Sequence, residues 1–272
     1  MDDIYEQKKC NDMTHIRLLY ILFSVVLGTG LVLPGCKKET SGRVFSAASL
    51  NVVNALPTSN PLILVQGPIA PEVGIFSPIG ALSYGGTAVL TPSRSTETLY
   101  ALQKNVDTGS VNVQGGGTFM FDGSLSFSAG SLYSLFITGV DTSSPDFLFV
   151  QDTVTQRTDS TAGIRFINLS AGSNPVSVDI QGQAIGGVVT SLAYKGITNF
   201  MSFPATSAIS SYVFEYRDAT SGSLLASYTV NGVNTSNEHV SNTVLFRNLT
   251  IALIGQPAGG IVGQSCIRVN SF

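Results

Sequence analysis

Tryptophan is absent from the 272-residue sequence, histidine occurs twice, and cysteine three times, as Cys10, Cys36 and Cys266. A Cys/His metal centre needs several such ligands at close spacing, and these residues form no such cluster. No G-x-S-x-G elbow and no phosphate-binding G-x-x-x-x-G-K-S/T loop occurs; the glycines of "QGGGTFMF" (114–121) lack the lysine. Charge is also scarce. Asp, Glu, Lys and Arg make up 11% of the chain, against roughly 25% in ordinary soluble domains. The formal net charge is −3 and no basic patch stands out, which argues against nucleic acid as a partner. The missing tryptophan removes the usual aromatic platform for sugars, leaving nine tyrosines, with Tyr84 and Tyr194 at corresponding places in a repeat described below. What fills the chain instead is glycine (28 residues) with serine, threonine and asparagine. That mixture is too apolar for disorder and too punctuated for long helices, and it suits many short strands joined by polar turns.

The stretch "LYILFSVVLGTGLVLPGCKKET" (19–40) is the longest apolar run. Residues 18–33 carry no charge, yet fall short of the roughly 20 needed for a membrane-spanning helix. A basic lead-in (His15, Arg17), an apolar middle and a small residue before Cys36 have the shape of a signal peptide over 1–35. Met13 is read as the physiological start, giving "MTHIRLLY". Leu33, Gly35 and Cys36 resemble the bacterial lipoprotein lipobox: aliphatic at −3, small at −1, cysteine at +1; Pro34 departs from the usual Ala or Ser. That resemblance implies cleavage before Cys36 and lipidation of its thiol, with two or more acyl chains giving stable anchoring. An ordinary secretion signal and a retained helix are the alternatives. Residues 36–47 then serve as a lipidated tether. Lys37 rather than Asp after the cysteine favours the outer membrane, with the leaflet left open. Removing 1–35 takes away Lys8, Lys9 and Arg17 with Asp2, Asp3, Glu6 and Asp12, leaving 11 basic against 13 acidic side chains.

The remainder repeats itself. "LNVVNALPTSNP" (50–61) recurs as "IRFINLSAGSNP" (164–175), placing Asn168 114 residues after Asn54. "LSYGGT" (82–87) recurs as "LAYKGI" (192–197), and "TGSV" (108–111) as "SGSL" (221–224). "YSLFITG" (133–139) is aligned with "TVLFRN" (243–248), Leu135 and Phe136 falling on Leu245 and Phe246. Each unit carries about seven short β-branched or aromatic runs, with turns expected at 106–109 and 218–222. In "SYVFEYR", Tyr212, Phe214 and Tyr216 share one face, opposite Val213, Glu215 and Arg217. The fold class is therefore all-β: two tandem immunoglobulin-like β-sandwich domains, at 48–157 and 158–272, after a lipoprotein signal peptide.

The order "SLNVVNA…SNP…LSYGG", then "YSLFITG…DFLFVQDT…AGIRFINLSAGSNPVSVDI", resembles the bacterial domain-of-unknown-function family 4397 over about 48–255. The resemblance implies tandem β-sandwich modules on exported proteins, commonly lipoproteins, and supplies no activity or site residues.

Chemistry is sparse. His239 in "NTSNEHVSN" reads as a solvated loop histidine rather than a triad member. "DTSSPD" (141–146) offers two carboxylates but lacks the glycine and glutamate of an EF-hand, so it reads as a turn. Cys266 is out of phase with Ile267 and Val269 and reads as a small half-buried side chain. "DTV" (152–154) and "DST" (159–161) fit an Asp-Ser/Thr acceptor pattern, making Thr153 and Ser160 candidate O-glycosylation sites in an exposed linker. No catalytic residue, cofactor or metal site is assigned. The expectation is a non-enzymatic, cell-envelope binding, adhesion or structural protein with a protein or glycan ligand. An accessory subunit of an outer-membrane assembly, docking through strand edges, is the alternative, with a hydrolase behind it.

Overall fold

The computed structural model describes residues 47–57, 60–68, 80–103, 119–233, 244–258, 260 and 262–271. The leading segment with Met13 and Cys36, residues 104–118 with their turn and glycines, and His239 lie outside the described residues.

The first eight strands are β1 (Ser49–Asn54), β2 (Leu62–Gln66), β3 (Gly80–Leu82), β4 (Thr87–Leu90), β5 (Thr96–Gln103), β6 (Phe119–Ser126), β7 (Leu132–Gly139) and β8 (Pro145–Asp152). Eight more follow: β9 (Thr161–Asn168), β10 (Val176–Ile180), β11 (Val189–Leu192), β12 (Met201–Pro204), β13 (Ser211–Asp218), β14 (Leu224–Asn231), β15 (Asn248–Ile254) and β16 (Ser265–Ser271). No helix occurs among the described residues. The first set makes two sheets, ordered β4-β1-β7-β8 and β3-β2-β5-β6. The second set repeats that order strand for strand, as β12-β9-β15-β16 and β11-β10-β13-β14. The parallel pair β1/β7 is matched by β9/β15, and the remaining pairs are antiparallel in both sets. The molecule is all-β, built of sandwiched sheets.

Among the described residues each set holds eight strands rather than seven. The three-residue β3 is too short to show a period, and β11 ("VTSL") is too polar. One alignment needs correction. Asn54 pairs with Ile137, and Asn168 pairs with Leu253, so the counterpart of β7 is β15 and not 243–248. Leu245 and Phe246 sit in the turn before β15, Phe246 with φ +60°. A shared Leu-Phe dipeptide suggested the match; pairing with the neighbouring strand decides the true register. The "TGSV" block lies outside the described residues.

Alternation explains how the sheets stack. On β1 and β7, Leu50, Val52, Leu135 and Ile137 point into the core of the first sandwich. On β9 and β15, Ile164, Phe166, Leu249, Ile251 and Leu253 point into the core of the second. The intervening side chains do not face water. Val53, Ala55 and Phe136 form a common buried cluster with Ile167, Leu169, Ala252, Ile254 and Val269. The two inner sheets therefore pack face to face, giving four layers. With both faces covered, their central strands read as unbroken buried runs, as buried sheets do. The described residues form one compact unit.

Cys266 and its neighbours illustrate the phase. Cys266 packs against the second core, while Ile267 and Val269 turn to the inter-sheet cluster. Burial pushes the Cys266 thiol up to about 12, which makes it a poor nucleophile.

Candidate functional site: the cleft between the two copies

Both copies are held by one device. Asn54 Nδ2 donates to Leu82 O at 3.0 Å, and its Oδ1 accepts from Leu56 N at 3.1 Å. Asn168 repeats this with Leu192 O at 3.2 Å and Ser170 N at 3.0 Å. Each asparagine is fully buried and ties the end of its strand to the following turn. In those turns Gly86 N donates to Ser83 O, and Gly196 N donates to Ala193 O, both at 2.8 Å. A Cβ at either glycine would press on that same carbonyl, at 2.8 and 2.7 Å. The residues before them, Gly85 and Lys195, take φ +75° and +60°, as the third position of a type II turn requires.

These turns also join the copies. Tyr84 packs on the inter-sheet cluster, and burial pushes its hydroxyl up to about 12. That hydroxyl has no partner among the described residues. Tyr194 reaches across to the first copy, its hydroxyl 3.4 Å from Asp146 Oδ2, while Lys195 Nζ lies 2.8 Å from the same carboxylate. The paired tyrosines are thus structural, and among the described residues only the Tyr194 hydroxyl is bonded. Asp141 accepts from Ser143 N, Ser143 Oγ and Ser144 N. With Asp146 committed to Lys195, the two carboxylates of "DTSSPD" serve a turn and an interface rather than a shared ion.

The copies diverge at one side of their junction. Arg165 of β9 lies almost completely buried on the junction face, where its counterpart in β1 is Asn51. Its Nη1 donates to Asp152 Oδ1 at 2.6 Å, its Nη2 to Ser134 Oγ at 3.3 Å, and its Nε to Thr250 Oγ1 at 2.7 Å. Ser134 Oγ in turn donates to Asp152 Oδ2 at 2.6 Å. Burial pulls the Arg165 guanidinium down, against the opposing pull of Asp152. The Phe200 ring covers it, with the guanidinium carbon 4.6 Å from the ring centre. The charge pair therefore bridges the copies, since Asp152 ends β8 and Arg165 lies on β9.

Next to this pair the second copy breaks its ladder. In the first copy β4 pairs with β1 without interruption from Leu90 to Thr87. In the second, β12 pairs with β9 only as far as Met201, and contact resumes at the Ile167–Ile197 bridge. Thr198 fills the gap, exchanging bonds with the Phe166 backbone through its N–H and Oγ1. Such an irregularity re-aims side chains. Here it leaves a cleft of about 430 Å³ between the edge of β8 and residues 197–200. Gln151, Thr153, Thr155, Asn199 and Phe200 line it around Arg165. Among the described residues the side chains of Thr153, Thr155 and Asn199 make no hydrogen bond, and Gln151 makes one long one, to Ser131 at 3.3 Å.

The linker is fastened beneath the cleft by Arg157, which donates to Ser202 Oγ, to Thr161 Oγ1 at 3.2 Å and to Phe200 O at 3.5 Å. Gly163 makes room for it: a Cβ there would meet Asn248 Oδ1 and the Arg157 guanidinium.

Of the candidates from sequence, Thr153 stands at the cleft mouth and Ser160, at φ +53°, lies at the far end of the linker; both are exposed. Sequence reading missed Asp152, Arg165 and Phe200. One signal for Arg165 was present, a charge inside "IRFIN" where the other copy has Asn51. No such signal marked the ladder break.

No protein-family model and no curated protein matches the chain. Among solved structures it is similar to a family 26 carbohydrate-binding module from Eubacterium rectale in complex with maltoheptaose. That likeness has 10% identity and TM-score 0.25, covering 82% of this chain and 97% of that one. It is also similar to an α-glucan-binding streptococcal virulence factor, at 11% identity and TM-score 0.22, covering 77% and 93%. A candidate adhesin from Bacteroides ovatus follows at 13% identity and TM-score 0.19, covering 83% and 95%. At these scores the likenesses carry no argument about ligand or activity.

Proposed function

We propose that this chain is a non-enzymatic binding component of the bacterial outer membrane, tethered by lipid on Cys36, with the junction cleft as its ligand site. One observation carries the reading: where the copies stop matching, side chains from both face a common cleft with unspent hydrogen-bonding groups. Binding sites are typically clefts of roughly 300–1,000 Å³ with a few convergent polar groups, and this one falls in that range. Hydrolysis finds little support there. Asp152 is buried and held by Arg165 and Ser134, and no carboxylate lines the cleft among the described residues to make an acid/base pair. Membership of the domain-of-unknown-function family 4397 belongs to the same proposal; its "LFITG" and "RFINLS" blocks are the inner strands β7 and β9 with the turn after them. Ser160 is a proposed O-glycosylation acceptor, supported by its exposure; a glycan on Thr153 would occupy the cleft mouth, so there the ligand site replaces the acceptor reading.

The test uses the full chain solubilised in detergent on a glycan array, beside Thr153→Trp, which fills the cleft mouth from an exposed position. Binding that Thr153→Trp abolishes supports the site; equal binding by both proteins contradicts it. For the tether, Cys36→Ala is expected to leave the membrane fraction, and its retention there without lipid label overturns the anchor.

A further inference from the structure

We infer that the junction cleft takes an uncharged saccharide, held by the amides of Gln151 and Asn199 and the hydroxyls of Thr153 and Thr155 beside the Phe200 ring. This rests on the reading of the cleft as the binding site. The argument starts from charge. Arg165 is the cleft's only charged lining residue among those described, and Asp152 neutralises it at 2.6 Å. Ser134 and Thr250 complete that network, so most of the guanidinium's donors are spent inside the protein. The next cation, Arg157, turns its donors to Ser202, Thr161 and the Phe200 carbonyl, and Asp159 lies within its field. Cation and anion thus balance around the site. A charged ligand would lose its hydration and gain no free counter-charge.

The remaining polar side chains are hydroxyls and carboxamides, which both donate and accept. Sugar hydroxyls do the same, so each partner satisfies the other whichever way its hydrogens point. Phe200 adds the apolar element. Its ring covers Arg165, and the residue stays partly exposed and lines the cleft, where the ring can meet the C–H face of a sugar. The backbone that carries these side chains is fixed on both sides, by Arg157 on the Phe200 carbonyl and by Thr198 on Phe166. Little ordering remains to be done on binding.

Titration calorimetry of the full chain in detergent tests this with short neutral gluco-, manno- and xylo-oligosaccharides beside oligogalacturonate. At least one neutral series is expected to bind, with affinity unchanged between low and high salt, because no ion pair forms. Phe200→Ala is expected to weaken it about tenfold. Asn199→Ala, an exposed substitution that leaves the core untouched, is expected to weaken it about threefold to tenfold. Tighter binding of oligogalacturonate that fades with salt overturns the uncharged-ligand inference and leaves the cleft as the site. Neutral binding indifferent to Asn199→Ala, Phe200→Ala and Thr153→Trp overturns the site itself. Absence of binding by every saccharide overturns the inference, while a non-saccharide ligand displaced by Thr153→Trp would keep the cleft.

Discussion

The two copies place different chemistry on the same frame. Ile63, Val65, Tyr100 and Leu102 cluster on the outer face of the first copy's outer sheet. Strand pairing puts Ser177, Asp179, Glu215 and Arg217 at the matching places in the second. There Arg217 lies 2.7 Å from Glu215 and 3.4 Å from Asp179. The 181–188 loop adds bonds from Gly186 N to Asp179 and from Gln181 to Glu215. A buried apolar cluster and a largely buried charge cluster thus occupy equivalent faces without changing strand order, because the frame depends on other residues. Those are the inner-core residues, the buried asparagines and the turns. The junction follows the same division: the frame is common, while Asn51 became Arg165 and an unbroken ladder became a cleft, or the reverse.

Substitutions at matched positions break or sharpen this comparison. The largest effect is expected at Arg165. Arg165→Met strands Asp152 as an unpaired buried charge and should cost about 3–5 kcal/mol in denaturant unfolding. Asn51→Ala at the matching place should cost about 1 kcal/mol. Pairing Arg165→Met with Asp152→Leu should recover most of the loss, since an apolar pair replaces a desolvated ionic one. Equal losses at Arg165 and Asn51 would show that the charge pair adds nothing to the junction.

Phe136→Ala comes next, at about 3–5 kcal/mol, because a fully buried ring leaves the inter-sheet cluster. The reverse change at the matching residue, Ala252→Phe, should overpack the same layer and cost about 1–3 kcal/mol. Both are read from urea midpoints. If the two copies did not share this layer, Phe136→Ala would lower the stability of the first copy alone.

Asn54→Ala and Asn168→Ala should each cost about 1–3 kcal/mol and agree with one another within about 0.5 kcal/mol. Clear disagreement would mean that the shared geometry conceals different roles.

The smallest effect is an acid response at the end of β13 that the matching end of β5 lacks. Asp218 accepts from Ser221 N, Asn174 Nδ2 and Thr220 N, which lower its carboxyl to about 2; the matching residue is Gln103. A carboxyl depressed on folding stabilises above its unfolded pKa of about 3.9, and that contribution is lost as pH falls toward about 2. Hydrogen exchange between pH 4 and pH 2, corrected for intrinsic rates, should therefore show the β13–β14 hairpin loosening before β5. Asp218→Asn should remove the difference.

Much of the frame was legible in the sequence, and the reason is local. Strands such as "LNVVN" and "YSLFITG" stand out as short β-branched or aromatic runs, "SYVFEYR" adds its own alternation, and asparagines 114 residues apart advertise a duplication. The stacking was not legible. Val53, Phe136, Ile167 and Ala252 look like the outer half of any alternating strand until the second copy is seen to cover them. The site was hidden for the same reason. Thr153 was noticed for a three-residue pattern, whereas its cleft depends on Phe200 and Arg165, brought near by sheet packing. The register of β15 was misread because a dipeptide repeated by chance outweighed a strand whose partner lies about 85 residues away, as Arg165 and Thr250 do.

The central claim is that the inner sheets share one core, so that the copies are a single folding unit carrying a common cleft. Amide exchange of the full-length chain across a denaturant series tests it most directly, read at Leu135 in β7 and Ile251 in β15. The account predicts that both amides open with the same free energy and the same denaturant dependence, as parts of one cooperative unit. Opening free energies separated by more than about 2 kcal/mol, with one copy still protected while the other exchanges, would contradict it.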